Sequence, residues 1–140
     1  MGIFMEEITL ENSTDRENVN RGYINESQIR NLKVEAIPDT GAWTLIINEE
    51  VRKKLGLVIE DEVHSTLADG TAAQYPLTGP VKVHWKNRNT SLPAVVIAEA
   101  KEVLLGALPL EAMDLIVDPV RQTLAGAHGD KEMHCVYRCG

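Results

Sequence analysis

The sequence predicts an all-β domain with one or two short helices, and three observations favour this class. The chain has 140 residues, of which 44% are hydrophobic, so it can form one domain with a buried core. Its apolar residues occur mostly in short runs that alternate with polar residues, as expected for strands with one buried face. Helix signals surround only two short segments, residues 48–55 and the segment that contains Pro109.

The first half of the chain contains three predicted strands. Residues 2–10 alternate loosely and are followed by the polar segment 11–22, which we predict to be a loop because of its composition. Residues 28–37 alternate clearly between apolar and polar side chains. Residues 43–47 are apolar on both faces, so we expect this third strand to be buried.

The clearest predicted helix covers residues 48–55. Asn48 can cap its first turn, and Gly56 can end it in the left-handed conformation. Acidic residues in the first turn and lysines near the last turn match the helix dipole.

Further strands follow in the second half. Asp69-Gly70 is a favoured two-residue turn and predicts a hairpin over residues 62–77. The remaining predicted elements are strand 81–85, a turn at 87–91, strand 92–100, a strand ending at 104–106, the short helix with Pro109 in its first turn, and strands 114–118 and 123–126. We therefore expect one domain at 1–126 and a tail without periodicity at 127–140.

The chain is acidic, with 14 Lys+Arg against 21 Asp+Glu and a formal net charge of -7. Because nucleic acids and anionic membranes attract a basic face, we expect no nucleic-acid partner and no membrane partner. Apolar runs are too short to cross a bilayer, and the N-terminal residues do not resemble a secretory signal, so we expect a cytoplasmic protein.

Several kinds of chemistry lack a matching residue pattern. The sequence contains neither the serine-nucleophile motif G-x-S-x-G nor a phosphate-binding glycine loop. His64 and His84 fall on the polar faces of predicted strands, which is typical of surface residues. Cys135 and Cys139, together with His134, supply too few ligands at matched spacing for a metal site. We therefore expect no metal and no organic cofactor.

One tripeptide remains, Asp39-Thr40-Gly41, which separates two of the apolar strands. On its own it fits a tight turn, in which the Asp side chain accepts backbone hydrogen bonds and Gly adopts a positive φ. The choice between a plain turn and an active site therefore depends on the segments around it.

Four segments, in this order, resemble the retropepsin-like aspartic proteases, which consist of a single lobe and work as dimers. They are the strand–turn–strand segment VEAIPDTGAWTLII, the helix EEVRKKLGL, the hairpin LADGTAAQYPLTGPVKV and the segment EVLLGALPLEAMDLIVDPVRQTL. The resemblance covers residues 28–124. It implies a closed β-barrel lobe of the acid-protease fold, a two-fold homodimer, and an endopeptidase that acts on a peptide or protein substrate.

The chemistry of peptide hydrolysis explains why two carboxyl groups are needed. The attacking water must lose a proton while the leaving amide gains one. Two carboxyl groups about 3 Å apart share one proton, because charges that close cannot both ionise. This chain contains one Asp-Thr-Gly, so the resemblance implies Asp39 as the catalytic residue, paired with Asp39 of a second copy.

Supporting roles also follow from the resemblance. Thr40, Gly41 and Ala42 would complete the active-site loop, where Gly41 permits two loops to approach closely and the Thr40 hydroxyl bonds to the partner loop. The hairpin tip would close over the substrate, and an apolar-apolar-Gly segment would pack behind the loop. These residues are Leu67, Ala68, Asp69, Gly70 and Thr71 at the tip, and Leu104, Leu105 and Gly106 behind the loop.

Two residues beside the tripeptide depart from the family pattern. Trp43 stands where a small polar residue or Asp is commoner, and Pro38 replaces an apolar strand residue and lacks a backbone donor. They leave an alternative open, a catalytically inactive retropepsin-like module that dimerises or binds peptides. A β-rich fold unrelated to proteases is the third possibility.

Overall fold

A computed structural model of the chain describes residues 3–66 and 70–129. Along these residues the elements are β1 (Glu6–Asn12), α1 (Ser13–Asn20), a 3₁₀ turn (Glu26–Gln28), β2 (Asn31–Pro38), β3 (Leu45–Ile47), α2 (Glu49–Leu55), β4 (Ile59–Thr66), β5 (Ala72–Trp85), β6 (Arg88–Val96), β7 (Val103–Leu105), α3 (Ala107–Ala112), β8 (Leu115–Asp118) and β9 (Thr123–Gly126).

Six strands form a closed barrel. The main sheet has the order β1-β2-β7-β3-β6-β5-β4, and a second pairing of β1 with β5 joins its ends and leaves β4 outside, on β5. Strands β8 and β9 form a separate antiparallel pair. The predicted all-β class and the closed barrel are therefore confirmed. Closure removes the exposed edges of the six barrel strands, so the barrel satisfies its own backbone hydrogen bonds.

Alternating side chains fill the barrel, as the sequence pattern predicts. Val81, Val83 and Trp85 of β5 are buried, with exposed fractions of 0%, 0% and 2%, whereas the residues between them are only partly covered. Ala36 and Leu105 come from the two strands that meet in the parallel part of the sheet, and both are fully buried. A period of two along each strand therefore builds one continuous core.

Helix α2 follows the prediction at both ends. The Asn48 side chain accepts a hydrogen bond from the Val51 N–H, at 2.9 Å, and Gly56 ends the helix with a left-handed φ of 64°. Val51 and Leu55 are buried and pack on the barrel.

The predicted loop at 11–22 was wrong, because this polar segment contains helix α1. Asn12 caps it by accepting a hydrogen bond from the Asp15 N–H at 3.0 Å. The Asn12 amide also donates to the Leu55 carbonyl at 2.9 Å, and the Asp15 carboxylate pairs with Arg30 at 2.8 Å. These partners are distant in sequence, so the composition of the segment could not reveal them. The described residues thus contain three α-helices, whereas one or two short helices were predicted.

Two turns also differ from the prediction. Trp85 pairs with Arg88, so β6 begins inside the segment 87–91 that was predicted to be a turn. Lys86 occupies this short connection with a φ of 51°, which the sequence did not signal. In the β4–β5 hairpin the last described pair is Thr66 with Ala72. Five residues separate them, whereas a two-residue turn requires an even number between paired residues. Asp69 of the predicted turn lies outside the described residues.

No helix in the described ranges, 3–66 and 70–129, combines the length and apolar character that crossing a bilayer requires.

Candidate active site

Asp39 lies at the point where β2 ends. Strand β7 lies between β2 and β3, parallel to the first and antiparallel to the second. Leu105 of β7 is opposite both Pro38 and Leu45, the residues on either side of the loop that carries Asp39. The loop therefore crosses over the end of a buried strand, which gives it a fixed support.

Hydrogen bonds define the conformation of the Asp39 loop. The Asp39 N–H donates to the Leu105 carbonyl at 3.0 Å, and the Ala42 N–H donates to the Asp39 carbonyl at 3.1 Å. The Gly41 N–H donates to Oδ1 of Asp39 at 2.8 Å, which orients the carboxylate. Although Pro38 has no N–H to give, the next residue supplies the bond to β7, so the loop stays attached.

The far side of the loop is held by the segment that starts α3. The N–H groups of residues 106, 107 and 108 donate to the carbonyls of residues 44, 42 and 43, at 3.1, 2.8 and 2.9 Å respectively. A Cβ on Gly106 would lie 2.3 Å from the Thr44 carbonyl oxygen and 2.7 Å from that of Ala42. Only glycine permits this approach of two backbones.

The predicted residues behind the loop are thus brought to it. Leu105 is fully buried below the loop, and Leu104 is half-buried and contributes to a groove beside Asp39. In the loop itself, Asp39 and Ala42 are half-buried, and Thr40 and Gly41 are exposed.

A groove beside the carboxylate, the Asp39 groove, has a volume of about 470 Å³. It is bordered by Ile3, Phe4, Ile37, Pro38, Asp39, Thr40, Leu104, Val117 and Pro119. Asp39 is the one ionisable side chain in this lining, so the described part of a single chain supplies one carboxyl group at the groove.

A second cavity, the Trp43 pocket, lies between the loop and the β4–β5 hairpin and has a volume of about 510 Å³. Its lining consists of Trp43, Ile46, Val63, His64, Ser65, Tyr75, Val95 and Ile97. Trp43 could be singled out from the sequence, but the apolar residues around it could not, because they come from β3, β4, β5 and the end of β6. The predicted β4–β5 hairpin was the one available signal, but a two-residue turn at Asp69-Gly70 would place Val63 opposite Pro76, whereas the structure places Val63 opposite Tyr75.

The predicted hairpin tip is only partly described. Gly70 is exposed with a φ of 86°, and Thr71 is exposed. Leu67, Ala68 and Asp69 lie outside the described residues.

Within residues 3–66 and 70–129, no cluster of three or more His, Cys, Asp or Glu side chains could hold a metal ion. His134, Cys135 and Cys139 lie outside these ranges. His84, predicted to be a surface residue, is partly exposed, and its Nε2 lies 3.6 Å from the buried Glu11 carboxylate.

A family of known proteins matches the part of the chain that contains this site. The family model described as aspartyl protease matches residues 22–108, which include β2, the Asp39 loop, α2, the hairpin and the start of α3. The chain belongs to this family, and the predicted retropepsin-like resemblance is confirmed.

Among solved structures, the chain is similar to the crystal structure of a retropepsin-like aspartic protease from Rickettsia conorii. The two share 17% sequence identity over 84% of this chain and 89% of that chain, with a TM-score of 0.46. No curated protein matches the sequence.

Proposed function

We propose that the protein is an aspartic endopeptidase and that its active unit is a homodimer in which two copies of Asp39 face each other across a two-fold axis. The observation that carries the proposal is the Asp39 loop, which presents one half-buried carboxylate beside an apolar groove and is held from below by Leu105 and Gly106. Membership of the aspartyl protease family supports this reading.

In the proposed reaction, the ionised member of the Asp39 pair removes a proton from a bound water as the water attacks the carbonyl carbon of the peptide. The protonated member donates a hydrogen bond to the carbonyl oxygen and stabilises the negative charge that develops there. Collapse of the tetrahedral intermediate breaks the C–N bond, and the proton taken from water passes to the leaving nitrogen. No step requires a metal or a cofactor.

A second copy is needed because each Asp39 groove offers a single carboxyl group. Gly41 supports a close approach of two loops, since it has no side chain on the exposed surface of the turn. Thr40 is exposed next to it and would reach the partner loop with its hydroxyl. Ala42 would keep the loop attached to α3 through its carbonyl.

The β4–β5 hairpin would cover the bound peptide. Its strands line the Trp43 pocket and run to Thr66 in β4 and Ala72 in β5, and Gly70 and Thr71 lie in the connection between them. Leu67, Ala68 and Asp69 would complete the tip, and closure would exclude bulk water from the reacting bond.

The domain would comprise residues 1–126, with a separate tail at 127–140.

Replacement of the catalytic carboxylate tests the proposal. We expect Asp39→Asn to keep the fold and to lower cleavage of a mixed peptide pool by at least about a thousandfold, because the amide cannot act as the base. A statine-type inhibitor should block the unmodified protein. Glu17→Gln removes an exposed charge on α1 that lines neither cavity, and it serves as a matched control that should cleave normally. Retained cleavage by Asp39→Asn would refute the mechanism.

The departures at Pro38 and Trp43 favour one other function, a module that binds peptides without cleaving them. The same experiment separates the two. A non-catalytic module would bind members of the peptide pool, and neither the inhibitor nor Asp39→Asn would change the amount of intact peptide.

A further inference from the structure

We propose that the Trp43 pocket receives an aromatic side chain of the substrate, and that Trp43 is the residue that determines this specificity. The inference rests on the proposed endopeptidase function and names its substrate class as peptides with an aromatic residue near the cleaved bond. Trp43 is one of the two residues at which the sequence departs from the family pattern.

Trp43 is held in position through its backbone. Its carbonyl accepts a hydrogen bond from the Leu108 N–H at 2.9 Å, and the carbonyls on either side of it accept bonds from the same segment. Trp43 is nevertheless 59% exposed, which is unusual for so large an apolar residue. A large side chain that projects from a fixed backbone can contact a ligand at a low cost in conformational entropy.

The other walls of the Trp43 pocket are apolar and come from paired strands. Ile46 of β3 is opposite Val95 of β6, and Val95 is 4% exposed, so this pair forms a firm floor. Val63 and Tyr75 are opposite each other in the β4–β5 hairpin and form the wall that faces the loop. The pocket therefore combines side chains from the loop, the barrel and the proposed cover.

The lining selects for a neutral, aromatic group. It contains no Asp, Glu, Lys or Arg, and its polar side chains, apart from the Tyr75 hydroxyl, are those of His64 and Ser65. A charged ligand group would lose its hydration without gaining a counter-ion. Trp43 and Tyr75 offer two aromatic rings, and aromatic pairs gain stability beyond the area they bury. The volume of about 510 Å³ is large enough for one large side chain and part of its neighbour.

The pocket and the proposed catalytic group share one loop. Trp43 follows Asp39 by four positions, and the turn between them is closed by the hydrogen bond from the Ala42 N–H to the Asp39 carbonyl. An extended peptide advances about 3.3 Å per residue, so a side chain in the pocket belongs to a residue within a few positions of the cleaved bond.

A substrate series tests the inference. In a peptide that the protein cleaves, each position around the cleaved bond is changed in turn between Phe and Ala, and kcat/KM is measured. We expect one position at which Phe is preferred by at least tenfold. Trp43→Ala should reduce that preference to less than threefold, and Trp43→Phe should retain most of it. Tyr23→Ala removes an aromatic ring that is 72% exposed and lines neither cavity, so it should keep the preference.

The outcomes separate this inference from the proposed function. Cleavage with no Phe preference at any position, or a preference unchanged in Trp43→Ala, overturns the role of Trp43 while the endopeptidase stands. If the protein cleaves nothing, binding of a Phe-containing and an Ala-containing peptide is followed by tryptophan fluorescence. Trp43 should report the contact, because Trp85 is buried and its Nε1 donates to Glu6. The proposed pocket is supported if the Phe peptide binds selectively and its fluorescence change is absent in Trp43→Phe. Equal binding of the two peptides, or no binding, overturns the proposed pocket.

Discussion

Gly106 is the residue on which the position of Asp39 most depends. Its N–H holds the Thr44 carbonyl at 3.1 Å, and its missing side chain lets the loop lie against the start of α3. Gly41 has a smaller constraint, since an added Cβ would lie 3.0 Å from Oδ1 of Asp39. The carboxylate is therefore oriented by one glycine and supported by the other.

A pair of glycine substitutions tests this arrangement. We expect Gly106→Ala to lower the free energy of unfolding by roughly 1–3 kcal/mol, because the new Cβ meets two backbone carbonyls that cannot move independently. Gly79→Ala is the matched control, since its Cβ would meet the end of the flexible Glu60 side chain and should cost less than about 1 kcal/mol. Urea unfolding measures both, and equal costs would contradict the account.

At the residue scale, the Asp-Thr-Gly tripeptide and the segment behind it could be predicted because their order along the chain carries the information. The backbone donor that Pro38 lacks is supplied by the next residue, since the Asp39 N–H donates to the Leu105 carbonyl. The neighbours of Trp43 could not be predicted, since Ile46, Tyr75 and Val95 meet only when three strands pair.

At the scale of helices and strands, too, elements with local signals could be predicted and elements that depend on distant contacts could not. Strands with clear alternation and the well-capped α2 depend on local signals, and they were predicted correctly. Helix α1 depends on contacts with residues far along the chain, through Asn12 to Leu55 and through Asp15 to Arg30. Long-range pairing of this kind overrides composition, and a single sequence does not reveal it.

The charge pairs around α1 also make the stability of this element depend on pH. The hydrogen bond from the Arg30 guanidinium holds the pKa of the buried Asp15 carboxyl below its ordinary value of 3.8. In the same way, the hydrogen bond from Arg16 holds the pKa of Glu11 below its ordinary value of 4.5. Because the folded state favours the ionised forms, the contribution is complete above these ordinary values. It is lost as the pH falls through the lower pKa values of the folded state.

Asp15→Asn tests this dependence. At neutral pH we expect it to lower the free energy of unfolding by roughly 1–3 kcal/mol, because it removes an ionic partner of Arg30. The difference from the unmodified protein should shrink as the pH falls below 3.8, where the unfolded chain protonates this carboxyl. Glu50→Gln, in the exposed pair with Lys54, should change little at any pH. A difference for Asp15→Asn that stays constant in acid would contradict the assignment.

At the scale of the whole molecule, the barrel explains why the Asp39 loop has a fixed position. The β2–β7–β3 arrangement places both ends of the loop on one buried strand, and closure through β1 and β5 fixes those strands in turn. The alternating pattern predicted the all-β class, and the resemblance to the retropepsin-like proteases implied its closure into a barrel. The proposed second copy of the chain is a separate matter, because the single Asp-Thr-Gly motif does not indicate which surface would bind the partner.

Mixing two forms of the protein tests the central claim, that one active site uses Asp39 from two chains. The unmodified protein and Asp39→Asn are mixed in equal amounts at constant total concentration, and subunit exchange is verified by native mass spectrometry with one form tagged. Mixing with Glu17→Gln is the control and should leave the rate unchanged. If a site needs both carboxyls, only pairs of unmodified chains are active, so peptide cleavage should fall to about one quarter of its starting rate. A rate of about one half would mean that each chain acts alone, and it would contradict the shared Asp39 site.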